Sequence, residues 1–398
     1  MTEMVLMLNC GSSSIKFALF DFTRESLSRT PEWGGKIGGI GGPAPAYDEN
    51  GGPARSIELG GERPYHAALE LILERAHGQL AGRPLAGVVH RVVHGGNKYF
   101  EPVRVDTAVL ADLKRYIPLA PLHQPFALDA IEAMLASHPG LTQVACFDTA
   151  FHHTLPVVEQ MLALSWEAWE RGLRRYGFHG LSYDYMSIAL PERHGELARG
   201  RTIVAHLGSG ASLCAMRGLK SVATTMGFSA LDGLMMGTRC GALDPGAVIY
   251  LMEIEKLSLE QVGHLLYHES GLLGVSGVSP DPRVLLQQEA REDATGERVR
   301  AALALYVRRI VREIGALASV LGGLDLLVFT AGVGEHNAAI RERVCRDLAW
   351  LGVQIDASAN AANAPVLSPA GSRVVVGCEP TNEEWLAALR AEPLLRAA

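Results

Sequence analysis

Two short stretches of this chain share one form: an apolar run, a turn of small residues, then a second apolar run. Residues 5–20 turn through Gly11-Ser12-Ser13-Ser14 and continue into Lys16, and residues 202–216 turn through Gly208-Ser209-Gly210. Setting Gly11 against Gly208 also sets Asn9 against His206 and Ser12 against Ser209. Apolar runs of this length bounded by glycine and serine read as strand, turn and returning strand. Hydroxyls, backbone amides beside a glycine and one lysine together suit a phosphate. For either copy alone, an ordinary hairpin whose serines satisfy their own turn is the alternative. The repetition favours a duplicated lobe with one phosphate-facing turn in each copy and a nucleotide in the cleft between them. The Gly-x-x-x-x-Gly-Lys-Ser/Thr spacing of a P-loop is absent.

A chain of 398 residues is long for one hydrophobic core and predicts two domains. The second is expected to begin near residue 150. With 48% apolar and 20% charged residues the composition is that of a soluble globular protein, and a formal charge of −7 gives no support to general nucleic-acid binding. No apolar run reaches the 18 or so residues of a membrane span and no signal peptide precedes Val5, so no membrane partner and a cytoplasmic location are expected. Cys10, Cys146, Cys214, Cys240, Cys345 and Cys378 are scattered without a Cys-x-x-Cys pair, which argues against a zinc site or a disulfide framework.

Several strand ends run into chemistry-bearing loops. The apolar run 87–93 contains Arg91, costly to bury unless it meets an anion or a carboxylate, and a ligand contact and a structural ion pair are its two readings. Prolines 118, 121 and 125 fix a loop around His123, the run 144–149 ends in Asp148, and two glycines hem His179. Ser182 is expected to cap the helix that follows. Residues 226–246 are rich in glycine yet apolar, which suits a segment packed under a site and presenting Arg239. The apolar spacing of residues 299–321 predicts a long helix ended by Gly322-Gly323. A strand, Gly332-Val333-Gly334-Glu335 and another helix follow, an order that offers free amides to a ligand. Near the end, Thr381 and Glu384 fit a capping box, which leaves Glu383 free to face a metal. The glycine- and proline-rich residues 30–61 read as a surface excursion of irregular strands joined by turns, without chemistry.

Cations and neutral donors outnumber the candidate acids Asp148 and Glu383, a mixture that suits phosphoryl transfer with magnesium. Hydride transfer would need a longer glycine fingerprint, and serine catalysis a supported nucleophile elbow.

Taken together the motifs resemble the acetate kinase family, which includes the propionate and butyrate kinases. The likeness rests on residues 9–16, 90–96, 121–123, 147–152, 175–180, 206–208, 233–241 and 332–335, in the family order and over essentially the whole chain. It implies an α/β fold of duplicated ribonuclease-H-like, actin-like ATPase type, with two lobes around a nucleotide cleft. The N-terminal lobe is expected at 1–150 plus 380–398 and the nucleotide-binding lobe at 151–379. It further implies a magnesium-dependent, reversible transfer between ATP and acetate giving acetyl phosphate and ADP, with manganese as an alternative metal and a homodimer as the assembly.

Carried onto this chain, the resemblance implies Asp148, His179, Arg239, Arg91 and His123 as catalytic, with Asn9, Glu383 and Asp148 toward the metal. Val93, Leu122, Phe178 and Ala230 would line the acyl pocket, with Arg91 on the carboxylate. Lys16, Ser12, His206, Gly208, Ser209, Gly210, Gly332, Gly334 and Glu335 would serve the nucleotide, with Ser14 supporting the first turn. Three positions depart from the family pattern: Ala230 stands where proline is usual, Ser209 where asparagine is, and Ala223 where an aspartate is common. The 30–61 excursion is likewise unlike the usual family sequence. Acetate is expected to lead with side activity on propionate. A propionate kinase of the same fold and a nucleotide-binding regulatory relative are the alternatives.

Overall fold

The computed structural model describes residues 3–23, 26–60, 63–121 and 123–396. The chain falls into two units, Met1–Phe151 with Asn382–Ala398, and His152–Thr381. In the first, β1 (Met4–Cys10), β2 (Ser14–Asp21), β3 (Trp33–Gly38), β4 (Ala46–Glu49), β5 (Arg55–Ser56), β6 (Leu85–Val92), β7 (Val103–Arg104) and β8 (Thr142–Phe147) form one sheet. Its order is β5-β4-β3-β2-β1-β6-β8-β7. β1 is buried along its whole length because it is central, antiparallel to β2 and parallel to β6. That explains its unbroken apolar run where an edge strand would alternate.

In the second unit, β9 (Thr202–Leu207), β10 (Ala211–Arg217), β11 (Lys220–Thr224), β12 (Leu326–Thr330) and β13 (Val375–Cys378) are ordered β11-β10-β9-β12-β13. The pairings repeat those of β3-β2-β1-β6-β8: two antiparallel steps, then two parallel ones. The repeated motif is therefore a repeated topology. The copies differ by one residue at the turn, since Cys10 pairs with Ile15 whereas Leu207 pairs with Ala211.

The helix Ala294–Leu321 packs on β10 and β9 and buries Leu303, Tyr306, Val307, Ile310, Ile314 and Leu317. Asp293 caps its start by accepting from the Gly296 amide, and Gly322 ends it in the left-handed region. The C-terminal helix Glu383–Arg396 belongs to the first unit and packs on β8, β6 and β1 through Trp385, Leu386, Ala387, Ala388 and Ala391.

The excursion over 30–61 is less irregular than its composition suggests: it builds β3, β4 and β5 onto the sheet. Two capping expectations are corrected. Asn382, and not Thr381, caps the last helix, its Oδ1 accepting from the Trp385 amide at 3.0 Å. Thr381 is drawn off by the Ser182 hydroxyl and the Glu335 carboxylate, and Glu384 takes no part in the cap. Ser182 lies inside the helix Gly180–His194 and bonds His206 instead of capping. No helix among the described residues is long and apolar enough to cross a membrane.

Candidate active site

In the first unit the parallel strands β1, β6 and β8 bring their C-terminal ends to one edge of the sheet, the edge where α/β proteins hold ligands. Asn9, Arg91 and Asp148 stand there. Arg91 Nε donates to both Asp148 carboxylate oxygens at 3.0 Å, its Nη2 donates to Oδ2, and its Nη1 donates to Asn9 Oδ1 at 2.9 Å. The structural ion pair is therefore the reading of Arg91 that these contacts show. A guanidinium has five N–H donors, and these contacts engage three, leaving two not taken up by Asp148 or Asn9. Burial works against the charge of Arg91, but the Asp148 and Glu383 carboxylates outweigh it and hold the guanidinium protonated.

Glu383 opens the C-terminal helix as a half-buried side chain. Burial raises its pKa above the ordinary carboxylate value, Arg91 and Lys16 pull it back, and Glu384 pushes it further up. Such a carboxylate gains from an added cation. Among the described residues no three acidic, histidine or cysteine side chains gather as a metal cage. Magnesium does not require one, because it binds through one or two carboxylates, retained waters and substrate phosphates. The hard oxygens of Asn9, Asp148 and Glu383 fit that demand.

Val93 is buried just beyond β6. The next residue, His94, is pinned at both backbone groups by one side chain: its N–H donates to Gln124 Oε1 at 2.9 Å, and Gln124 Nε2 donates to its carbonyl at 3.0 Å. Gln124 begins the helix Gln124–Ser137, and His123 is the residue at its N-cap. The loop after β6 and the His123 turn are thereby fixed together. Leu122 lies outside the described residues. Lys16 and Ser12 are exposed at the first hairpin, where Lys16 pairs with Asn9 and the Gly11 amide closes the turn on the Ser14 carbonyl.

In the second unit the candidates converge on the β9–β10 turn. A Cβ placed on Gly210 would sit 3.3 Å from His179 Nε2 and 3.6 Å from Arg239 Nη1. The rings of His179 and His206 stack with centroids 4.1 Å apart. His179 Nδ1 shares a 2.8 Å hydrogen bond with Ser212 Oγ, which also meets the Tyr183 hydroxyl at 2.5 Å. His206 Nδ1 lies 2.9 Å from Ser182 Oγ. Both imidazoles are thus held by hydroxyls through Nδ1. Arg239 Nη1 donates to the Ala230 carbonyl at 2.9 Å and approaches Met236 Sδ at 3.6 Å. No carboxylate among the described residues pairs with it, and burial lowers its pKa. Ser209 is exposed at the tip of the turn, while Gly208 closes it on the Gly210 carbonyl. Phe178 is buried and Ala230 half-buried.

Glu335 is bound into its own loop, Oε1 accepting from the Ala331 amide at 2.7 Å and the Thr381 amide at 3.2 Å. Behind Gly332 and Gly334 sits a residue the sequence did not single out. Arg341 is fully buried and donates to the carbonyls of Gly334, Glu335 and Asn360 and to the amide oxygens of Asn360 and Asn363. Gln124 and His152 stand in stretches the sequence marks out, but their roles were not legible, because their partners lie 26 to 69 residues away. Ala223, fully buried on β11 opposite Ala215, places its departure inside the sheet and not on a ligand-facing turn.

The model of the acetokinase family matches residues 4–389. An acetate kinase of Rhodopseudomonas palustris (strain TIE-1) is 48% identical over 394 residues, 98% of this chain and 97% of that protein. One from Methylocella silvestris is 46% identical over 404 residues, covering 99% and 98%. Among solved structures, the acetate kinase of Porphyromonas gingivalis superposes with a TM-score of 0.86 at 36% identity, covering 99% of this chain and all of that one. A propionate kinase from Francisella tularensis gives 0.86 at 32% identity, with 98% of each chain covered.

Proposed function

The chain belongs to the acetokinase family, and from that premise we propose that it transfers a phosphoryl group reversibly between ATP and acetate, forming acetyl phosphate and ADP. The observation that carries the reading is Arg239: a cation desolvated beside His179, without an acid partner among the described residues, is matched by an anionic ligand.

In this reading the two remaining donors of Arg91 hold the acetate carboxylate, while Arg239 and His179 Nε2 face the oxygens of the transferring phosphoryl group, with His123 assisting. The acetate nucleophile is already ionised at neutral pH, so positioning and charge neutralisation suffice without a general base. Asp148 keeps Arg91 oriented and, with Asn9 and Glu383, supplies the oxygens toward magnesium. When bound, magnesium neutralises phosphate charge. The turns carrying Lys16, Ser12, Gly208, Ser209, Gly210, Gly332 and Gly334 serve the nucleotide phosphates, and Glu335 maintains the last of them. His206 supports His179 through the stacked rings. The acyl methyl group meets an apolar pocket, to which Val93 contributes from the first unit. One methylene is worth about 1–3 kcal/mol in such a pocket, so propionate follows acetate as a slower substrate.

The test is steady-state kinetics with acetate, propionate and butyrate, ATP and magnesium, trapping the acyl phosphate as a hydroxamate. Acetate turnover that collapses in Arg239→Ala is the expected result. Nucleotide binding without acyl phosphate from any acid would refute the reading, and equal efficiency on propionate would overturn the substrate order.

A further inference from the structure

His179 adopts φ +58°, a left-handed backbone uncommon for a residue with a side chain and persisting where its surroundings impose it. The surroundings here centre on one buried imidazole. His152 is 2% exposed; its Nε2 lies 2.9 Å from the Phe178 carbonyl and its Nδ1 2.8 Å from Ser221 Oγ. A carbonyl can only accept, so Nε2 carries the proton, and Ser221 donates its hydroxyl proton to Nδ1. Ser221 accepts in turn from the Cys214 thiol at 3.4 Å. The ring also fills the space beneath Gly177, where a Cβ would come within 2.5 Å of His152 Cδ2 and where φ is +75°.

We propose that His152 is a positioning residue for His179, its Nε2–H anchoring the Phe178 carbonyl so that the turn delivers the His179 imidazole to Gly210 and Arg239. The assignment rests on the phosphoryl-transfer reading of His179. Removing the anchor leaves the turn free to relax out of the left-handed region. Displacement of a catalytic group by about 1 Å can cost roughly 100-fold in rate.

The deciding experiment is a double-mutant cycle on acyl phosphate formation by the full chain. His152→Leu is expected to lower kcat by about 100-fold with the KM for ATP little changed, and His152→Gln, which keeps a donor near the Nε2 position, to recover most of the loss. Combined with His179→Ala, the His152→Leu change should cost nothing further, because both act through one group. Multiplying losses in the double variant, or unaltered kcat in His152→Leu, would overturn the proposal. Should His152→Leu fail to fold, Ser221→Ala enters the same cycle with the same two outcomes. Long-range proton–nitrogen spectra of histidine-labelled protein, recorded without substrate, should show the Nε2–H tautomer, identified by its loss in His152→Gln. An Nδ1–H tautomer would contradict the anchor. A wild type that forms no acyl phosphate would instead refute the function and leave this tautomer reading standing.

Discussion

Breaking the Arg91–Asp148 pair gives the sharpest test of how the first unit holds its charges. The Asp148 side chain is 1% exposed and that of Arg91 21%, so the two partners have unequal recourse to water. Removing one member of a buried ion pair typically costs about 3–5 kcal/mol. In Asp148→Leu the stranded guanidinium keeps Asn9 Oδ1 and some solvent, which puts the loss near the lower end, about 3 kcal/mol. In Arg91→Leu the carboxylate that loses its guanidinium has almost no solvent, which puts the loss near about 5 kcal/mol. A domain of roughly 150–250 residues shifts its Tm by about 2–4 °C per kcal/mol, so the expected falls are about 6–12 °C and 10–20 °C. Urea unfolding followed by circular dichroism should show a lowered midpoint with an unaltered slope. Because the pair is buried, the losses should be nearly the same at low and high salt. The double replacement should be less damaging than Arg91→Leu alone, since it leaves neither charge stranded. Single variants within about 0.5 kcal/mol of wild type, the scale of ordinary surface substitutions, would refute the reasoning. So would strictly additive losses.

Glu383 should give a pH-dependent stability difference with a definite sign. Its folded pKa is raised, so ionising it costs the folded state, and that cost appears as pH rises from the ordinary carboxylate value through the folded one. Glu383→Gln should therefore gain stability over wild type at pH 7 without magnesium but not at pH 4, while needing more magnesium for half-maximal activity; a stability difference independent of pH would refute it. Arg341→Met strips donors from three carbonyls and two amide oxygens and should destabilise the second unit by about 3 kcal/mol or more in urea unfolding. A change under about 1 kcal/mol would show those acceptors to be satisfied otherwise. Gly177→Ala meets both a positive φ and the His152 ring at 2.5 Å, and should lose several °C in Tm together with most activity; wild-type behaviour would mean the turn is soft.

What could be read in advance depended on how far apart the partners lie. Both hairpins were legible because strand, turn and strand are written in consecutive residues. Arg91 was legible as a conflict, a cation in an apolar run, and the structure resolves the conflict with Asp148, 57 residues away. The capping box was misplaced by one residue because Thr381 and Asn382 are both good caps. The choice was made by Ser182 and Glu335, which draw Thr381 away, and no local pattern reports them. The strands read at 30–61 are more regular than their glycine content suggests. Gly35 lies within β3, where a Cβ would fall 2.1 Å from the Asp48 carbonyl and 2.8 Å from the Phe17 ring. Its glycine records a close approach inside a sheet and not a flexible loop. The roles of Gln124, Arg341 and His152 were not legible because Gln124 and Arg341 bond chiefly to main-chain atoms, whose identity the sequence does not encode, and His152 divides its bonds between the Phe178 carbonyl and the distant Ser221 hydroxyl.

The two copies of the hairpin topology have diverged in charge, and the divergence follows the chemistry. In the first unit the cation beside the turn is matched: Arg91 is bound to Asp148, and Glu383 adds a second acid within its field. In the second, Arg239 and Arg341 are desolvated and bonded to carbonyls, amides and a thioether, with no carboxylate on either among the described residues. Neutral acceptors orient a guanidinium without cancelling its charge, so both arginines keep their charge and the field it sets up in the second unit. The first unit carries Asp148 and Glu383, the two acids read as facing a divalent cation. Replacing an acceptor of Arg239 or Arg341 with a carboxylate would complete the pairing and quench that field. A stable fold that had lost its affinity for ATP is the expected consequence, read by nucleotide titration at constant magnesium. Unchanged affinity would show that the phosphates are held by backbone amides alone.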